Sequence, residues 1–209
     1  HCGLVGSEMC IRDSFTSVTD PLLGERGFHE GFAHNPNPKL IIEKLGENFK
    51  IDTASLKKWS VGSPIQSMMD AIEYLLKNNK FDHKDITELI VDIPSDRYHI
   101  VNDREILSIS AQHLIAVHLI KKKMGYVEAH DEKLFDDPEV VSLRKKIKAV
   151  SSDELAIARP ERQSKIRIKF SNNKELFYHA KSVRGTPDNP MDEKDIVTKS
   201  KRLLEVFKT

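Results

Sequence analysis

The stretch KIRIKFSNNKELFYHA, at positions 165–180, decides the fold class of this chain. In its first half, isoleucine or phenylalanine alternates with lysine or arginine, which is the pattern of a strand with one buried face. Asn172 and Asn173 are turn-forming residues, and an apolar run returns over 176–183. The stretch therefore predicts a β-hairpin.

Outward from the hairpin, one further strand and several helices are predicted. The strand covers 86–93, where apolar residues alternate with polar ones as far as Pro94. Five helices are predicted, over 40–45, 63–76, 108–123 and 137–147 and after Pro190. The first is expected to stop at Gly46 and the third at Gly125. The residues 15–33 have no helical or strand period and are predicted to form an ordered loop. Helices around a small, mostly antiparallel sheet predict an α+β fold.

Composition limits the classes of function. The 209 residues include 33 basic and 32 acidic side chains, for a net charge of +1. No excess of positive charge is present to neutralise a nucleic-acid backbone or to hold an anionic membrane surface. No apolar run approaches the roughly 20 residues of a membrane span. We expect a cytoplasmic protein with neither nucleic acid nor membrane as its partner.

The two cysteines, Cys2 and Cys10, lie in a segment unlike the rest. Zinc sites and iron–sulfur clusters need about four ligands, mostly thiolates, so both are excluded for the remainder of the chain. The segment HCGLVGSEMCIRDS, residues 1–14, has no amphipathic period. It resembles the translated adaptor sequence found at the ends of metagenomic gene models, and a disordered native leader is the alternative.

Three motifs carry a family resemblance. They are Lys57-x-Trp59-x-x-Gly62-Ser63-Pro64-x-Gln66 followed by Asp70-Ala71, Ser110-Ala111-Gln112-His113-Leu114-Ile115-Ala116-Val117, and Arg184-Gly185-Thr186-Pro187-Asp188-Asn189-Pro190-Met191. Together with a Gly-Phe-x-x-x-Phe stretch that ends at Phe32, they resemble the MmgE/PrpD family, which includes 2-methylcitrate dehydratase and cis-aconitate decarboxylase. The resemblance follows the chain in order from about residue 15.

The resemblance implies a fragment of a longer protein, with four parts. Residues 1–14 would be the foreign or disordered leader, 15–80 the end of an all-helical domain, 81–187 an α/β lid domain, and 188–209 a helix returning to the helical domain. The apolar faces of 65–76 and 196–207 would then lack part of their cover. The full-length protein would be a homodimer.

The chemistry implied by the resemblance is proton transfer beside carboxylates, without a metal or a cofactor. The substrate would be a small di- or tricarboxylic acid, and the reaction a lyase elimination similar to that of 2-methylcitrate dehydratase. Two alternatives remain: an isomerase or epimerase of the same family, or a non-catalytic lid or interaction module. The fragment alone is expected to be inactive.

Lys57 and His113 are the predicted catalytic residues. Lys57 matches the family's catalytic lysine and would hold a substrate carboxylate or stabilise charge beside it. The alternative is one solvated member of the Lys57-Lys58 pair. His113 matches a tyrosine or histidine position at which a proton could be transferred, the alternative being a buried helix histidine. His118, five residues on, lies on another helix face, so the two histidines do not form a metal pair.

Arg184 and Gln66 are the predicted substrate-binding residues. Arg184 could hold a carboxylate bidentately, although such an arginine more often braces the end of a strand. Gln66 occupies a position where some members have a histidine, and it is better explained as the third residue of a capping box that begins at Ser63. Gly62 and Ser60 also depart from the family pattern, which weakens the case for cis-aconitate decarboxylase.

Overall fold

The structure is a computed structural model, and it describes residues 20–24, 27–35 and 37–206. The predicted leader, residues 1–14, and Phe207 lie outside these residues. The chain divides between Ile51 and Asp52 into two compact units.

The first unit contains two short helices, α1 (Phe28–Phe32) and α2 (Lys39–Ile42). The prediction of a loop throughout 15–33 is wrong at α1. The rings of Phe28 and Phe32 contact each other with centroids 4.6 Å apart, and this pair, four residues apart, supports a single helical turn. The helix predicted over 40–45 is confirmed in its first part only, since α2 ends at Ile42.

The second unit is built on a four-stranded sheet, which confirms the α+β prediction. Its strands are β1 (Ile86–Pro94), β2 (Ile147–Ser152), β3 (Ser164–Phe170) and β4 (Glu175–Ala180), in the order β2-β1-β3-β4. Strand β1 runs parallel to β2 and antiparallel to β3, and β3 runs antiparallel to β4. The predicted hairpin is therefore formed by β3 and β4.

The turn of the hairpin is made by the two asparagines. Asn172 Oδ1 accepts the N–H of Lys174 at 3.0 Å, and Asn173 adopts a left-handed φ of 61°. Asparagine tolerates this conformation better than most residues because its side chain bonds locally. These contacts explain why the turn signal in the sequence was correct.

The helices of the second unit are α3 (Gln66–Asn78), α4 (Ser95–Val101), α5 (Ala111–Lys121), α6 (Tyr126–His130), α7 (Pro138–Arg144), α8 (Asp153–Ile157) and α9 (Glu193–Val206). Short 3-10 turns cover Lys50–Thr53 at the boundary between the units, and Ser63–Ile65, His83–Asp85, Leu107–Ile109 and Glu132–Leu134 in the second unit. Within the described residues, no helix is long and apolar enough to cross a membrane.

Two predicted helix ends are wrong. Helix α5 ends before Lys122, which takes the left-handed conformation at φ 54°, whereas Gly125 precedes α6. The helix predicted over 137–147 ends at Arg144, and Ile147 begins β2. Strand β2 lies at the edge of the sheet, and of its residues only Ile147 is buried, so it lacks the alternation that identifies a strand.

The core lies between α3, α5 and the sheet. Helix α3 packs against β3, β4 and α5, and α5 packs against α7 and β2. On α3, Met68, Met69 and Ile72 are fully buried. The expectation that the face of 65–76 lacks cover is therefore wrong, because the sheet and α5 cover it. On α9 the expected exposure is observed, since Leu204 is 63% exposed.

Candidate functional site

The first and third of the family-like motifs meet at Asp70 on α3. Its Oδ1 accepts the indole N–H of Trp59 at 2.8 Å, and its Oδ2 accepts the backbone N–H of Arg184 at 2.8 Å. Burial raises the pKa of Asp70, while the bonds from Arg184 and Trp59 and the charge of Lys58 oppose that rise. Asp70 therefore fixes the segment before α3 to the turn before α9.

A backbone contact beside Asp70 completes this junction. The N–H of Leu56 donates to the carbonyl of Gly185 at 2.7 Å. Gly185 has a φ of +95°, and a Cβ at this position would lie 1.8 Å from the carbonyl oxygen of Leu56. Only glycine fits such a close approach, which explains why the third motif has a glycine at position 185.

Lys57 follows this contact directly and is exposed. None of the described carboxylates forms an ion pair with its ammonium group. Its backbone carbonyl accepts a hydrogen bond from Nζ of Lys199 on α9. Burial lowers the pKa of Lys199, and the positive charge of Lys57 lowers it further. The ammonium group of Lys199 thus lies against the backbone of Lys57, so two lysines share this surface, an arrangement that favours an anion.

Lys58 has a different environment from its neighbour. Its ammonium group pairs with Glu73 on α3 and lies 4.5 Å from the centroid of the Trp59 ring. Of the Lys57-Lys58 pair, Lys58 therefore serves packing, and Lys57 remains available to a ligand.

Gln66 is buried and its amide is fully engaged with the backbone. Its Nε2 donates to the carbonyls of Trp59 at 2.9 Å and Val61 at 3.1 Å, while its Oε1 accepts the N–H of Trp59 at 3.1 Å. The predicted capping box is wrong, because Ser63 makes no side-chain cap and its Oγ accepts from Arg162 at 3.3 Å. Gln66 instead stabilises the loop that carries Trp59 through these backbone hydrogen bonds. Its substrate-binding role stays a prediction, and these contacts favour a structural one.

Arg184 is held by helix α9. Its guanidinium donates to Oδ2 of Asp195 at 2.7 and 3.2 Å and to Asn189 Oδ1 at 3.3 Å. The hydrogen bonds that Arg184 donates to Asp195 raise the pKa of Arg184 and lower the pKa of Asp195. Arg184 therefore has a bracing role, but it braces α9 and not the end of a strand. Its substrate-binding role stays a prediction.

His113 lies in the core, on α5. It is fully buried, neither of its ring nitrogens has a hydrogen-bond partner among the described residues, and its ring lies 5.7 Å from that of Phe135. Burial lowers the pKa of His113 to about 4, and the charge of Arg144 contributes. Among the described contacts, none joins His113 to the exposed Lys57. Its catalytic role stays a prediction.

Sequence reasoning gave no role to Asp70 or Lys199. Asp70 carried one usable signal, a carboxylate among the apolar residues of α3, which indicates a buried partner. Lys199 carried none, because it is one of several basic residues on α9. In the described parts of the chain, no group of three or more histidine, cysteine, aspartate or glutamate side chains is placed to hold a metal ion.

Beside the junction, a cleft of about 210 Å³ opens between the Trp59 loop and α9. Lys58, Ser60 and Met191 line one part of it, and Lys199 and Arg202 line another. The candidate site is therefore the surface formed by Lys57, Lys199 and this cleft.

Comparison with known proteins agrees with these motifs. The MmgE/PrpD C-terminal domain matches residues 59–209, a range that includes Gln66, His113 and Arg184 and begins two residues after Lys57. No curated protein matches the chain significantly. Because the match covers most of the sequence, the chain belongs to the MmgE/PrpD family and contains its C-terminal domain.

Proposed function

We propose that the chain is the C-terminal portion of an MmgE/PrpD-type lyase, similar to 2-methylcitrate dehydratase, that acts on a small di- or tricarboxylic acid without a cofactor. The observation that supports this most directly is the exposed Lys57 ammonium group, unpaired among the described residues and beside Lys199. The Asp70 junction joins the segment that carries Lys57 to the turn before α9, the helix that carries Lys199.

The proposed role of Lys57 is to bind a substrate carboxylate. In an elimination, a base removes a proton from the carbon next to a carboxylate, and the C–H electron pair forms the new C=C bond. The hydroxyl group on the neighbouring carbon leaves with a second proton as water. Negative charge develops on the carboxylate during proton removal, so a cation placed there stabilises the transition state more than the ground state. Lys199 adds a second positive charge to the same surface.

His113 is not given the role of base in this proposal. Its pKa of about 4 leaves it neutral near pH 7, which suits a base, but it is fully buried and has no path to Lys57 among the described contacts. A general base must lie within hydrogen-bond reach of the proton that it abstracts.

A non-catalytic lid or interaction module is the second candidate. It is favoured by the internal contacts of Gln66 and Arg184, which use the groups that would otherwise bind a substrate. An epimerase of the same family would use the same proton abstraction but return the proton to the opposite face of the carbon.

The test is a substrate panel assayed by ¹H NMR in D₂O with the full-length product of the gene. 2-Methylcitrate, citrate, cis-aconitate and related acids are incubated with enzyme. The spectra distinguish an alkene product, by a new vinyl proton or by a methyl group shifted onto an alkene carbon, from loss of carbon dioxide and from solvent deuterium at an epimerised carbon. A lyase gives an unsaturated or decarboxylated product. Deuterium incorporation without elimination supports the epimerase, and a panel without turnover by the folded protein supports the non-catalytic module.

A further inference from the structure

A second cavity, of about 590 Å³, lies between α3, the C-terminal end of α5 and α9. Its volume falls within the roughly 300–1,000 Å³ typical of sites for small molecules. None of Lys57, Gln66, His113 and Arg184 is among its lining residues. It adjoins the cleft of the candidate site, with which it shares Trp59 and Arg202, whereas Lys80, His118 and Lys122 line this cavity and not the cleft.

The charged side chains that line the cavity are mostly cations. Five basic side chains face it, Lys77, Lys80, Lys122, Lys123 and Arg202, against the single carboxylate of Glu73. The whole chain has a net charge of only +1, so this is a local concentration of positive charge.

The carboxylate of Glu73 neutralises only one of these five cations, Lys77. It pairs with Lys58 and with Lys77, the latter at 3.1 Å. Burial would raise the pKa of Glu73, but the hydrogen bonds and charges of these two lysines outweigh it and lower the pKa. Lys123 pairs with Glu128 at 2.7 Å. Lys80, Lys122 and Arg202 form no ion pair with any described carboxylate and remain available to a ligand.

A buried histidine also lines the cavity. His118 is 2% exposed, and its Nδ1 has no hydrogen-bond partner among the described residues. A buried polar atom without a partner is costly, so this histidine adds an unsatisfied polar group to the cavity wall. The ring of Trp59 lies 5.3 Å from that of His118 and gives the cavity an apolar wall.

The backbone conformation of Lys122 also supports a ligand-binding role for this cavity. Lys122 occupies the left-handed conformation that ends α5, with a φ of 54°, where glycine is the favoured residue. Local sterics disfavour a lysine in this conformation, so they do not explain its presence here. Its ammonium group adds to the positive charge of the cavity.

From these observations, we propose that the cavity binds a compact polyanion through its phosphate or carboxylate oxygens, with Lys80, Lys122 and Arg202 supplying the positive charge and His118 a hydrogen bond. Trp59 contacts the apolar part of the ligand. Lys122 does not line the cleft of the candidate site, so its replacement tests this site apart from the proposed lyase activity and either proposal can fail without the other.

The experiment uses the fluorescence of Trp59, the single tryptophan of the chain. The protein is titrated at low ionic strength with pyrophosphate, with citrate and with NaCl at matched ionic strength. We expect a saturable change in fluorescence that exceeds the NaCl response. A response to pyrophosphate alone identifies a phosphate ligand, a response to citrate alone identifies a carboxylate ligand, and responses to both indicate recognition of charge. If neither exceeds NaCl, the proposal is overturned.

Lys122→Gly is the decisive variant, because it removes a cation while placing the favoured residue in the left-handed turn. We expect it to weaken binding of the responding anion at least 5-fold, and to weaken it at least 20-fold when combined with Arg202→Gln. Lys44→Gly is the matched control, since Lys44 has a φ of 55° and does not line the cavity. Circular dichroism checks that each variant is folded. Equal affinities for wild type and the double variant would overturn the proposal, as would equal weakening by the control.

Discussion

Asp70 Oδ2 accepts the backbone N–H of Arg184 at 2.8 Å, across 114 residues of chain. The other carboxylate oxygen holds Trp59 at the same distance. One half-buried side chain thus joins two motifs that are remote in sequence, and it places Lys57 beside α9.

Replacing Asp70 tests this junction. Asp70→Ala leaves two partly buried N–H donors without an acceptor, so we expect the free energy of unfolding to fall by about 2–4 kcal/mol. Urea denaturation measures the change. Asp188→Ala, an exposed aspartate in the turn before α9, is the control and should change stability by less than about 0.5 kcal/mol. A loss no larger than that of the control would show that Asp70 does not hold the two segments.

Gly185→Ala tests the close approach to Leu56. Its new Cβ would lie 1.8 Å from the Leu56 carbonyl oxygen, so the two segments must separate, and we expect a loss of more than about 2 kcal/mol. Gly46→Ala is a matched control, because Gly46 also has a positive φ, of +85°, but nothing lies within 4 Å of the added Cβ. It should lose only about 1 kcal/mol. Hydrogen exchange of the Leu56 amide should accelerate in Gly185→Ala alone, and unchanged exchange would contradict the contact.

The pairing of Arg184 with Asp195 is testable by a double-mutant cycle. Both side chains are about one-third exposed, so solvent screens the pair and the coupling energy should be about 0.5–1 kcal/mol. The single variants Arg184→Gln and Asp195→Asn and the double variant are compared by urea denaturation. A coupling energy of zero would show that the arginine does not brace α9 and would favour its substrate-binding role.

The buried histidines predict a pH-dependent stability. Burial lowers the pKa of both His113 and His118 to about 4, from an ordinary value of 6.5. The unfolded chain therefore binds protons between these values that the folded chain does not, and stability is lost as the pH falls from 6.5 toward 4. The loss is on the order of 3 kcal/mol for each histidine.

Most carboxylates titrate below pH 5, so the free energy of unfolding measured between pH 6.5 and 5 reports mainly on the histidines. The variant with both His113→Phe and His118→Phe should lose most of its pH dependence in that window. His99→Phe, at an exposed position, should retain it. If the free energy of unfolding changes with pH equally in the wild type, the double variant and His99→Phe, the buried histidines do not cause the pH dependence.

The regular elements were predictable because their patterns are local. The β3–β4 hairpin has alternating residues and an asparagine turn, and α3 has an apolar face at helical spacing. Edge strand β2 and the short helices α4, α6 and α8 were missed, since one or two turns or a half-exposed strand produce too short a pattern to detect.

The site was less predictable because its contacts are remote. Nothing near Asp70 in the sequence indicates Arg184 as its partner, and Lys199 contacts Lys57 across 142 residues. Gln66 had the spacing of a capping box, yet its amide reaches backward to Trp59, a contact that spacing cannot distinguish from a cap. Lys57 was predicted only through the family resemblance, since an exposed lysine carries no signal of its own.

The central claim is that Lys57 binds the substrate carboxylate, and kcat/KM of the Lys57→Met full-length protein tests it most directly. On the acid that the wild type converts, we expect kcat/KM to fall about 100-fold or more, because charge stabilisation in the transition state is lost. Lys174→Met, an exposed lysine in the hairpin turn, should match the wild type. A Lys57→Met protein that is folded and retains wild-type kcat/KM would contradict the claim.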